Sequence, residues 1–344
     1  MNSQAPRILV IRRDNIGDLL CTTPLIHGLR KKFPTAYLSV LASNYNAAVL
    51  EGNPDIDEVF IFLKRHQKVS GQHFLSLLWK RWKLVRKIRK CRFDYIFLAN
   101  GGWRYARSLG GKKMIGFRER HQPDHRQPNV IVPIENDGRN EHEVSKMARL
   151  GAALEATASN GPTFIFPDLA RVARENKRLS LLGWNREKPS IALHISSRQP
   201  HQRWTNESFV MLAKKLISKF HVQILLFWSP GKENNRMHPG DDEKAECILR
   251  ELRSPLVFPC PTQELSDLAA GLSLADQMIC SDGGAMHVAA ALKKPIVCFF
   301  GESNVAEWHP WKVPSIVVQA PSKIVADISV EEAFEAFSEL QKKL

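Results

Sequence analysis

The chain contains four polar loops whose residue types could do chemistry. The first, at residues 12–18, places Asp14 and Asp18 beside Arg12 and Arg13 after a short apolar run. Carboxylates next to arginines suit acid/base work on a bound anion. Asp18 could instead stabilise the start of a helix, and the spacing fits capping and catalysis equally well. The loop matches neither Gly-x-Gly-x-x-Gly nor a Walker sequence, which argues against a dinucleotide or P-loop site.

Two further loops are rich in groups that could bind a nucleotide. The second loop combines Ser196, Ser197 and Arg203, which favours phosphate binding over a solvated connection. The third runs from Trp228 to Glu233 and again follows an apolar run. An acidic residue after a strand often accepts hydrogen bonds from a ribose, and an aromatic ring can cover a base.

The fourth loop, residues 281–287, reads Ser-Asp-Gly-Gly-Ala-Met-His between a predicted strand and a predicted helix. Gly283 and Gly284 allow the backbone to approach a ligand closely, and a helix N-terminus presents free N–H groups, so a diphosphate is the natural ligand. Asp282 could hold sugar hydroxyls. His287 could reach a phosphate oxygen, although a histidine in such a place is more often structural.

The sequence gives little support for a metal site. It has no His-Glu-x-x-His and no Asp-x-Asp after a strand in the second half, and the acidic run at 241–243 predicts a helix start. We therefore expect no cofactor. Side-chain cations and helix dipoles would neutralise a diphosphate.

These loops are positioned by short apolar runs that alternate with helical patterns along the whole chain. The alternation predicts an α/β fold with parallel sheets, in which ligands bind at the carboxyl ends of the strands. The predicted strands are residues 7–11, 36–41, 95–99, 190–194, 222–227, 277–280 and 295–300. The predicted helices include one from about residue 18 and the segments 207–219 and 264–274.

The 344-residue chain exceeds the size at which a single core usually grows, so we expect two domains. A small, polar, turn-forming segment at 156–162 places the boundary near residues 165–185. We take residues 1–170 as the first domain and residues 171–344 as the second. The final helix could pack back on the first domain.

Charge is distributed unevenly along the chain. The net charge is +14, and residues 1–170 hold 27 Lys and Arg against 15 Asp and Glu. This asymmetry suggests that the first half meets a polyanion, such as nucleic acid, anionic lipid or a phosphorylated glycan. The sequence shows no long apolar run and no secretory signal, which predicts a cytoplasmic protein. The six scattered cysteines predict buried free thiols.

The segment 79–90 is strongly basic and has a helical pattern. Leu78, Trp82, Val85 and Ile88 would share one stripe of that helix, with cations around it. One interpretation is a domain helix with a solvated face. The other is an interfacial helix that recognises anionic lipid or a phosphorylated glycan. The first interpretation is at least as well supported as the second.

Two segments resemble signatures of the bacterial heptosyltransferases, glycosyltransferase family 9. Residues 8–24 (Ile-Leu-Val-Ile-Arg-Arg-Asp-Asn-Ile-Gly-Asp-Leu-Leu-Cys-Thr-Thr-Pro) are similar to the N-terminal signature of that family. Residues 282–292 (Asp-Gly-Gly-Ala-Met-His-Val-Ala-Ala-Ala-Leu) are similar to its donor-binding signature. The likeness extends through residues 300–301 and 308–311, and so covers nearly the whole chain.

The resemblance implies a GT-B glycosyltransferase of two Rossmann-like, doubly wound domains facing a central cleft. It implies inverting, metal-independent transfer of heptose from ADP-heptose to a lipid-linked, phosphorylated glycan of the lipopolysaccharide core. It also implies a cytoplasmic enzyme, peripheral at the anionic inner face of the inner membrane. Asp18 matches the general base of the family. The implied acceptor-binding residues are Arg12, Arg13 and Asn15, and the implied donor-binding residues are Ser196, Ser197, Arg203, Trp228, Glu233, Gln263, Asp282, Gly283, Gly284 and His287.

Some positions depart from the family, and other functions stay open. Gln202 stands where the family usually has a lysine, so Arg203 is expected to supply the cation. Asp14 and Asn15 stand where small hydroxyl residues are common. The alternatives are a family member with another sugar nucleotide or acceptor, a sugar-nucleotide epimerase, and a nucleic-acid-binding protein. No nucleic-acid motif supports the last of these.

Overall fold

The computed structural model describes residues 5–64, 74–119, 122–133, 140–233 and 239–344. The chain divides into two compact units, Met1–Phe164 and Ile165–Leu344. Each unit is built from one parallel sheet and its helices, which confirms the predicted α/β fold with two Rossmann-like units. The first unit ends at Phe164, a few residues before the domain end at residue 170 that the sequence predicts.

The first unit has a parallel sheet that, within the described residues, contains six strands. These are β1 (Arg7–Ile11), β2 (Tyr37–Ser43), β3 (Glu58–Phe62), β4 (Tyr95–Leu98), β5 (Lys113–Phe117) and β6 (Val130–Val132). The helices are α1 (Ile16–Lys32), α2 (Phe74–Lys90), α3 (Trp103–Arg107) and α4 (Glu143–Ala152). The strand order is β3-β2-β1-β4-β5-β6.

The second unit repeats this plan with the next set of strands and helices. Its strands are β7 (Ser190–His194), β8 (Gln223–Trp228), β9 (Val257–Pro261), β10 (Gln277–Ser281), β11 (Ile296–Phe300) and β12 (Ser315–Gln319). The helices are α5 (Leu169–Leu181), α6 (Asn206–Phe220), α7 (Asp242–Leu252), α8 (Leu265–Leu274), α9 (Gly284–Ala291), α10 (Val305–Trp308) and α11 (Val330–Lys342). The strand order is β12-β11-β10-β7-β8-β9.

The strand order of each sheet creates one point at which the direction of winding reverses. In the first unit that point lies between β1 and β4, and in the second it lies between β10 and β7. Loops that leave adjacent strands on opposite sides of such a point open a crevice, where ligands of doubly wound sheets bind. All seven predicted strands are present, and their ends agree with the prediction to within two residues.

The final helix, α11, belongs to the core of the second unit. Phe337 and Leu340 of α11 are buried in the same apolar cluster as Trp204 and Phe299. The indole Nε1 of Trp204 donates a hydrogen bond to the carbonyl of Ile328 at 2.8 Å. This packing fixes the loop after β7, because Trp204 ends that loop.

Helix α2 is present, but its buried face differs from the predicted stripe. Ile88 is buried and Val85 packs against the core, as expected, and Leu77 is buried with them. Leu78 and Trp82 are exposed, so placing them on the same stripe was wrong. The core-facing positions follow the helical period from Leu77, one residue earlier than the predicted stripe.

All six cysteines are free thiols, as predicted, although Cys91 and Cys247 are only partly buried. Within the part of the chain that the structure describes, no helix has both the length and the apolar composition to cross a membrane.

Candidate active site

The loop between β1 and α1 lies at the reversal point of the first sheet and is held by Asn46. The side-chain Nδ2 of Asn46 donates to the carbonyls of Arg12 at 3.4 Å and Asn15 at 3.3 Å. Its Oδ1 accepts from the backbone N–H and the hydroxyl of Ser43. Asn46 is fully buried, so these bonds are shielded from water. Sequence reasoning missed this residue because an isolated asparagine in a turn carries no distinctive signal.

A single guanidinium organises the loop. Arg12 is only 3% exposed, and it pairs through Nε with Asp14 at 2.9 Å and through Nη2 with Asp18 at 2.5 Å. Its Nη1 pairs with Glu143 at 2.7 Å and donates to the carbonyl of Ala99 at 2.7 Å. Burial alone would lower the pKa of Arg12, but the three carboxylates outweigh it and raise that pKa above its ordinary value. Arg12 is therefore a fixed cation.

These contacts correct the role predicted for Arg12. The sequence analysis placed it among the residues that bind the acceptor. In the structure the side chain is buried and its nitrogens are directed at carboxylates and a carbonyl of the protein itself. Arg12 is a positioning residue for Asp18 rather than a free binding group.

Glu143 is the third carboxylate of this cluster, and the sequence analysis did not find it. It is 2% exposed and begins α4, where the side chain of the preceding residue, His142, caps the helix. Lys146 approaches its second oxygen at 3.1 Å. Glu143 lies far from Arg12 along the chain, and no local pattern links the two, so only the fold could pair them.

Asp18 makes the capping contact that the sequence left open and a second contact as well. Its Oδ2 accepts a hydrogen bond from the backbone N–H of Asn15 at 3.2 Å, which caps α1. Its Oδ1 is held by Arg12. Both contacts fix the same carboxylate at the carboxyl edge of the sheet, so the capping role leaves the catalytic hypothesis open.

Asp14 shares Arg12 with Asp18, and its ionisation is disfavoured. Burial raises the pKa of Asp14 to about 6, with the negative charge of Asp18 adding to the rise and Arg12 opposing it. The carbonyl of Asp14 accepts a hydrogen bond from Lys64 at 2.6 Å. Asp14 is therefore partly protonated near neutral pH.

The predicted donor residues of the second unit lie at the ends of four adjacent strands, β10, β7, β8 and β9, or in the loop or first helical turns that follow them. Gln202 joins two of these loops, since its Nε2 donates to Asp282 at 3.0 Å and to Ser303 at 3.1 Å. Ser197 donates to the Oε1 of Gln202 at 3.2 Å. The glutamine that replaces the family's usual lysine thus fixes the Asp282 carboxylate.

Arg203 connects the loops after β7 and β8. Its Nη1 pairs with Glu233 at 2.8 Å and with the buried Asp241 at 3.3 Å. Its Nε donates to the carbonyl of Ser197 at 2.9 Å. The hydroxyl of Ser196 accepts from the backbone N–H of Ser229 at 2.9 Å. The structure therefore brings Arg203 and Glu233 together, so a nucleotide would have to share or exchange this ion pair.

Lys244 is a further buried cation near these loops, which sequence reasoning missed. Burial lowers its pKa to about 8, with the charge of Asp241 opposing that shift. Its Nζ donates to the carbonyl of Trp204 at 2.8 Å. The prediction that residues 241–243 start a helix is confirmed, because Asp241 is the N-cap of α7. That prediction did not include the lysine that follows.

The loop after β10 leaves open space at the start of α9. Gly283 has φ of 156°, and no atom lies within 4 Å of where its Cβ would stand. Gly284 begins α9, which places free N–H groups beside that space. His287, one turn later, is buried with its ring edge-to-face with Trp308 at 6.0 Å. The histidine is therefore packed in the protein as well as close to the loop.

Two further predicted donor residues, Trp228 and Gln263, differ from the rest in their burial and contacts. Trp228 is 8% exposed and belongs to the core, and its Nε1 donates to Asp242 at 2.8 Å. Its ring is not an open face on which a base could stack, because the end of β8 directs it inward. Gln263 is exposed between β9 and α8. Across the described ranges, no group of three His, Cys, Asp or Glu side chains is arranged to hold a metal ion.

The sequence matches the model of one protein family, described as glycosyltransferase family 9 (heptosyltransferase), over residues 81–336. Lipopolysaccharide heptosyltransferase 3 of Escherichia coli is 23% identical over 305 residues, covering 86% of this chain and 83% of that protein. Lipopolysaccharide heptosyltransferase 2 of Salmonella typhimurium is also 23% identical, over 316 residues, covering 87% of this chain and 83% of that protein.

Solved structures show the same fold. A glycosyl transferase family 9 protein from Veillonella parvula has a TM-score of 0.80 at 20% identity, covering 100% of this chain and 99% of the other. The E. coli heptosyltransferase WaaC with ADP has a TM-score of 0.76 at 16% identity, covering 97% of this chain and 99% of the other.

The burial of Asp14, with the charge of Asp18 beside it, predicts a pH-dependent loss of stability. The folded pKa of about 6 lies above the ordinary aspartate value of about 3.9, so the folded state holds the proton more tightly. Stability from this group is therefore present at low pH and is lost as pH rises from about 4 to about 6. The melting temperature of Asp14→Asn minus that of the wild type should rise across this window and then level off. A difference that is constant from pH 4 to pH 8 would contradict the assignment.

Proposed function

The chain belongs to glycosyltransferase family 9 and is a glycosyltransferase, and from that premise we propose that it transfers heptose from ADP-heptose to the lipopolysaccharide core. The observation that carries the proposal is the Asp18 carboxylate, which one buried guanidinium and one backbone N–H hold at the ligand-binding edge of the first sheet. The names of the relatives and the ADP in one related structure support the choice of sugar and nucleotide.

In the proposed reaction Asp18 acts as the general base. It takes the proton of an acceptor hydroxyl, whose oxygen bonds to the anomeric carbon as the bond to the diphosphate oxygen breaks. Attack from the face opposite the diphosphate inverts the anomeric configuration. A base must be within hydrogen-bond reach and correctly aimed, and the contacts with Arg12 and Asn15 restrict Asp18 to one orientation.

The second unit is proposed to hold the donor. The open space at Gly283 and the free N–H groups at the start of α9 suit the diphosphate, and Asp282 suits the sugar hydroxyls. Arg203 would neutralise charge on the leaving ADP and could exchange its contact with Glu233, which is exposed, for a phosphate oxygen. Glu233 would then be free to accept hydrogen bonds from the ribose hydroxyls. We propose that this arrangement needs no divalent metal ion.

The proposal predicts that Asp18→Asn lowers kcat by about 10²–10⁴-fold, since it removes the base and keeps the shape. ADP binding by calorimetry should stay unchanged, and activity should persist in EDTA. The product from ADP-heptose and a truncated core acceptor should have the inverted anomeric configuration.

Asp267→Asn is the matched control, because Asp267 caps α8 in the same way that Asp18 caps α1. Its Oδ2 accepts from the backbone N–H of Glu264 at 3.1 Å. If Asp18→Asn lost no more activity than Asp267→Asn, the assignment of the base would be wrong. If no heptose were transferred by the wild type, another sugar nucleotide would have to be considered.

We also propose that the enzyme is cytoplasmic and attaches to the inner face of the inner membrane through α2. Trp79 and Trp82 are 54% and 52% exposed, and Leu78 is exposed beside them. Lys83 lies over the Trp79 ring at 3.4 Å and Arg86 over the Trp82 ring at 4.7 Å. Helix α2 contains seven Lys and Arg and no acidic residue. Aromatic rings among cations suit the headgroup region of an anionic bilayer.

This membrane proposal predicts that the wild type floats with vesicles that contain anionic lipid and is released by salt. Trp79→Ser with Trp82→Ser should reduce that binding strongly without lowering the melting temperature, because both side chains are exposed. Leu181→Ser removes an apolar side chain that is exposed on α5 and should bind as the wild type does. Equal binding by the double variant and the wild type would rule out α2 as the contact.

A further inference from the structure

Two arginines and two aromatic rings form a cluster at the carboxyl edge of the first sheet. Arg13 follows β1, and its guanidinium lies 4.7 Å from the centroid of Phe62 and 4.4 Å from that of Tyr105. Arg81 of α2 lies 4.5 Å from the centroid of the same Phe62 ring. Phe62 and Tyr105 pack edge-to-face at 5.4 Å. Both guanidiniums therefore contact the same Phe62 ring.

No carboxylate pairs with either arginine among the residues that the structure describes. Within the described residues, Arg81 donates to the carbonyl of Leu63, at 2.7 Å and 3.3 Å. Two acidic side chains of neighbouring loops have other partners, since Asp14 pairs with Arg12 and Glu119 accepts from the backbone N–H of Trp103 at 2.9 Å. Burial lowers the pKa of Arg13, with a further lowering from Arg81, while Tyr105 and Asp14 oppose the shift. Neither guanidinium therefore has an ion-pair partner among the described residues, and the charge of Arg81 acts on Arg13.

Buried polar atoms in the same cluster also lack partners within the described part of the chain. They include the Nε of Arg13 and the hydroxyl of Tyr105, both of which are hydrogen-bond donors. The Oδ1 of Asn100, an acceptor, is unpaired as well. Asn100 is two residues past Leu98, the last residue of β4, and Arg13 is two residues past Ile11, which pairs with Leu98. Buried polar groups without partners are uncommon, and three of them belong to the segments that follow β1 and β4.

We propose that Arg13, Arg81 and the Tyr105 hydroxyl form a binding site for a phosphate group on the acceptor. This inference rests on the proposed function and specifies how the first unit recognises its substrate. Guanidinium groups can bind phosphate oxygens through two N–H groups at once. The aromatic rings hold Arg13 and Arg81 in place, and the N–H groups that do not bind Leu63 would contact the phosphate. Asn100 would accept a hydrogen bond from a hydroxyl of the phosphorylated sugar. The phosphate would supply the counter-charge that the protein lacks here.

Arg13 and the proposed base belong to the same segment, which runs from the end of β1 into the first turn of α1. Arg13 follows Arg12, which holds Asp18, so a phosphate on Arg13 would anchor the acceptor beside the carboxylate that takes its proton. Binding energy from a group that does not react can position the group that does. Arg13 and Arg81 would therefore act mainly on acceptor affinity, whereas Asp18 acts on the chemical step.

The first test is binding of inorganic phosphate to the full chain at low ionic strength, followed by ³¹P NMR. Arg13→Gln and Arg81→Gln should each weaken the binding about tenfold or more, and Tyr105→Phe should weaken it less. Arg107→Gln is the matched control, because Arg107 is exposed and lies over the ring of Trp103 at 5.1 Å. Arg203→Gln should retain the phosphate binding that depends on Arg13 and Arg81, because any phosphate bound at Arg203 belongs to the other unit.

The second test compares two soluble acceptors, one phosphorylated and one treated with phosphatase. Arg13→Gln and Arg81→Gln should raise the acceptor KM about tenfold or more for the phosphorylated form, with little change in kcat. The same variants should not alter KM for the dephosphorylated form or the affinity for ADP. Anionic vesicles should still bind Arg13→Gln as they bind the wild type, which separates an acceptor phosphate from a lipid headgroup.

Phosphate binding that survives in both glutamine variants would overturn the proposal, as would an equal rise in KM for both acceptors. Arg13→Lys and Arg81→Lys keep the charge and serve as controls for a folding defect. Their phosphate affinity and their KM for the phosphorylated acceptor should lie between those of the wild type and the glutamine variants. If vesicle binding were lost with Arg13→Gln, the phosphate would be that of a lipid and the acceptor assignment would be wrong. The phosphate titration needs no sugar donor, so failure of heptosyl transfer would leave this test intact.

Discussion

The first unit depends on the burial of one positive charge. Removing a guanidinium from water is costly unless carboxylates and carbonyls replace the lost solvent, and Arg12 receives both. The carboxylates come from its own loop, from the first turn of α1 and from the start of α4, and the carbonyl comes from the end of β4. One side chain thus joins four segments around the reversal point of the sheet, and the orientation of Asp18 follows from it.

The loops of the second unit are also joined by polar side chains, but by different groups. Its loops are joined by an amide, Gln202, and a guanidinium, Arg203, instead of one fully buried cation. Both contacts lie near exposed surface or open space, as the exposed Glu233 and the unfilled volume at Gly283 illustrate. A ligand could therefore rearrange these contacts at modest cost. The contrast suggests a rigid base in the first unit and an adaptable donor site in the second.

The strands and the loops that carry chemistry were predictable from the sequence because both depend on local patterns. Apolar runs such as that of β1 bury on both faces of a parallel sheet, and polar loops must follow them. The partners of those loops were not predictable. Glu143, Asn46 and Lys244 reach their sites through long-range packing, and the burial of Arg12 and Trp228 depends on neighbouring elements. The predicted apolar stripe on α2 was wrong by one residue, because apolar side chains occur on both the buried and the exposed face of that helix.

We infer that the shape of the Arg12 guanidinium, and not its charge alone, holds Asp18 in the position proposed for the general base. The most direct measurement is steady-state kinetics of Arg12→Lys with the sugar nucleotide and the acceptor. A lysine keeps the positive charge but has no planar fork to contact three carboxylates at once. We expect kcat to fall about 100-fold while the affinity for ADP is unchanged, since small displacements of a catalytic group have effects of that size. A kcat equal to that of the wild type would show that the positive charge alone is sufficient.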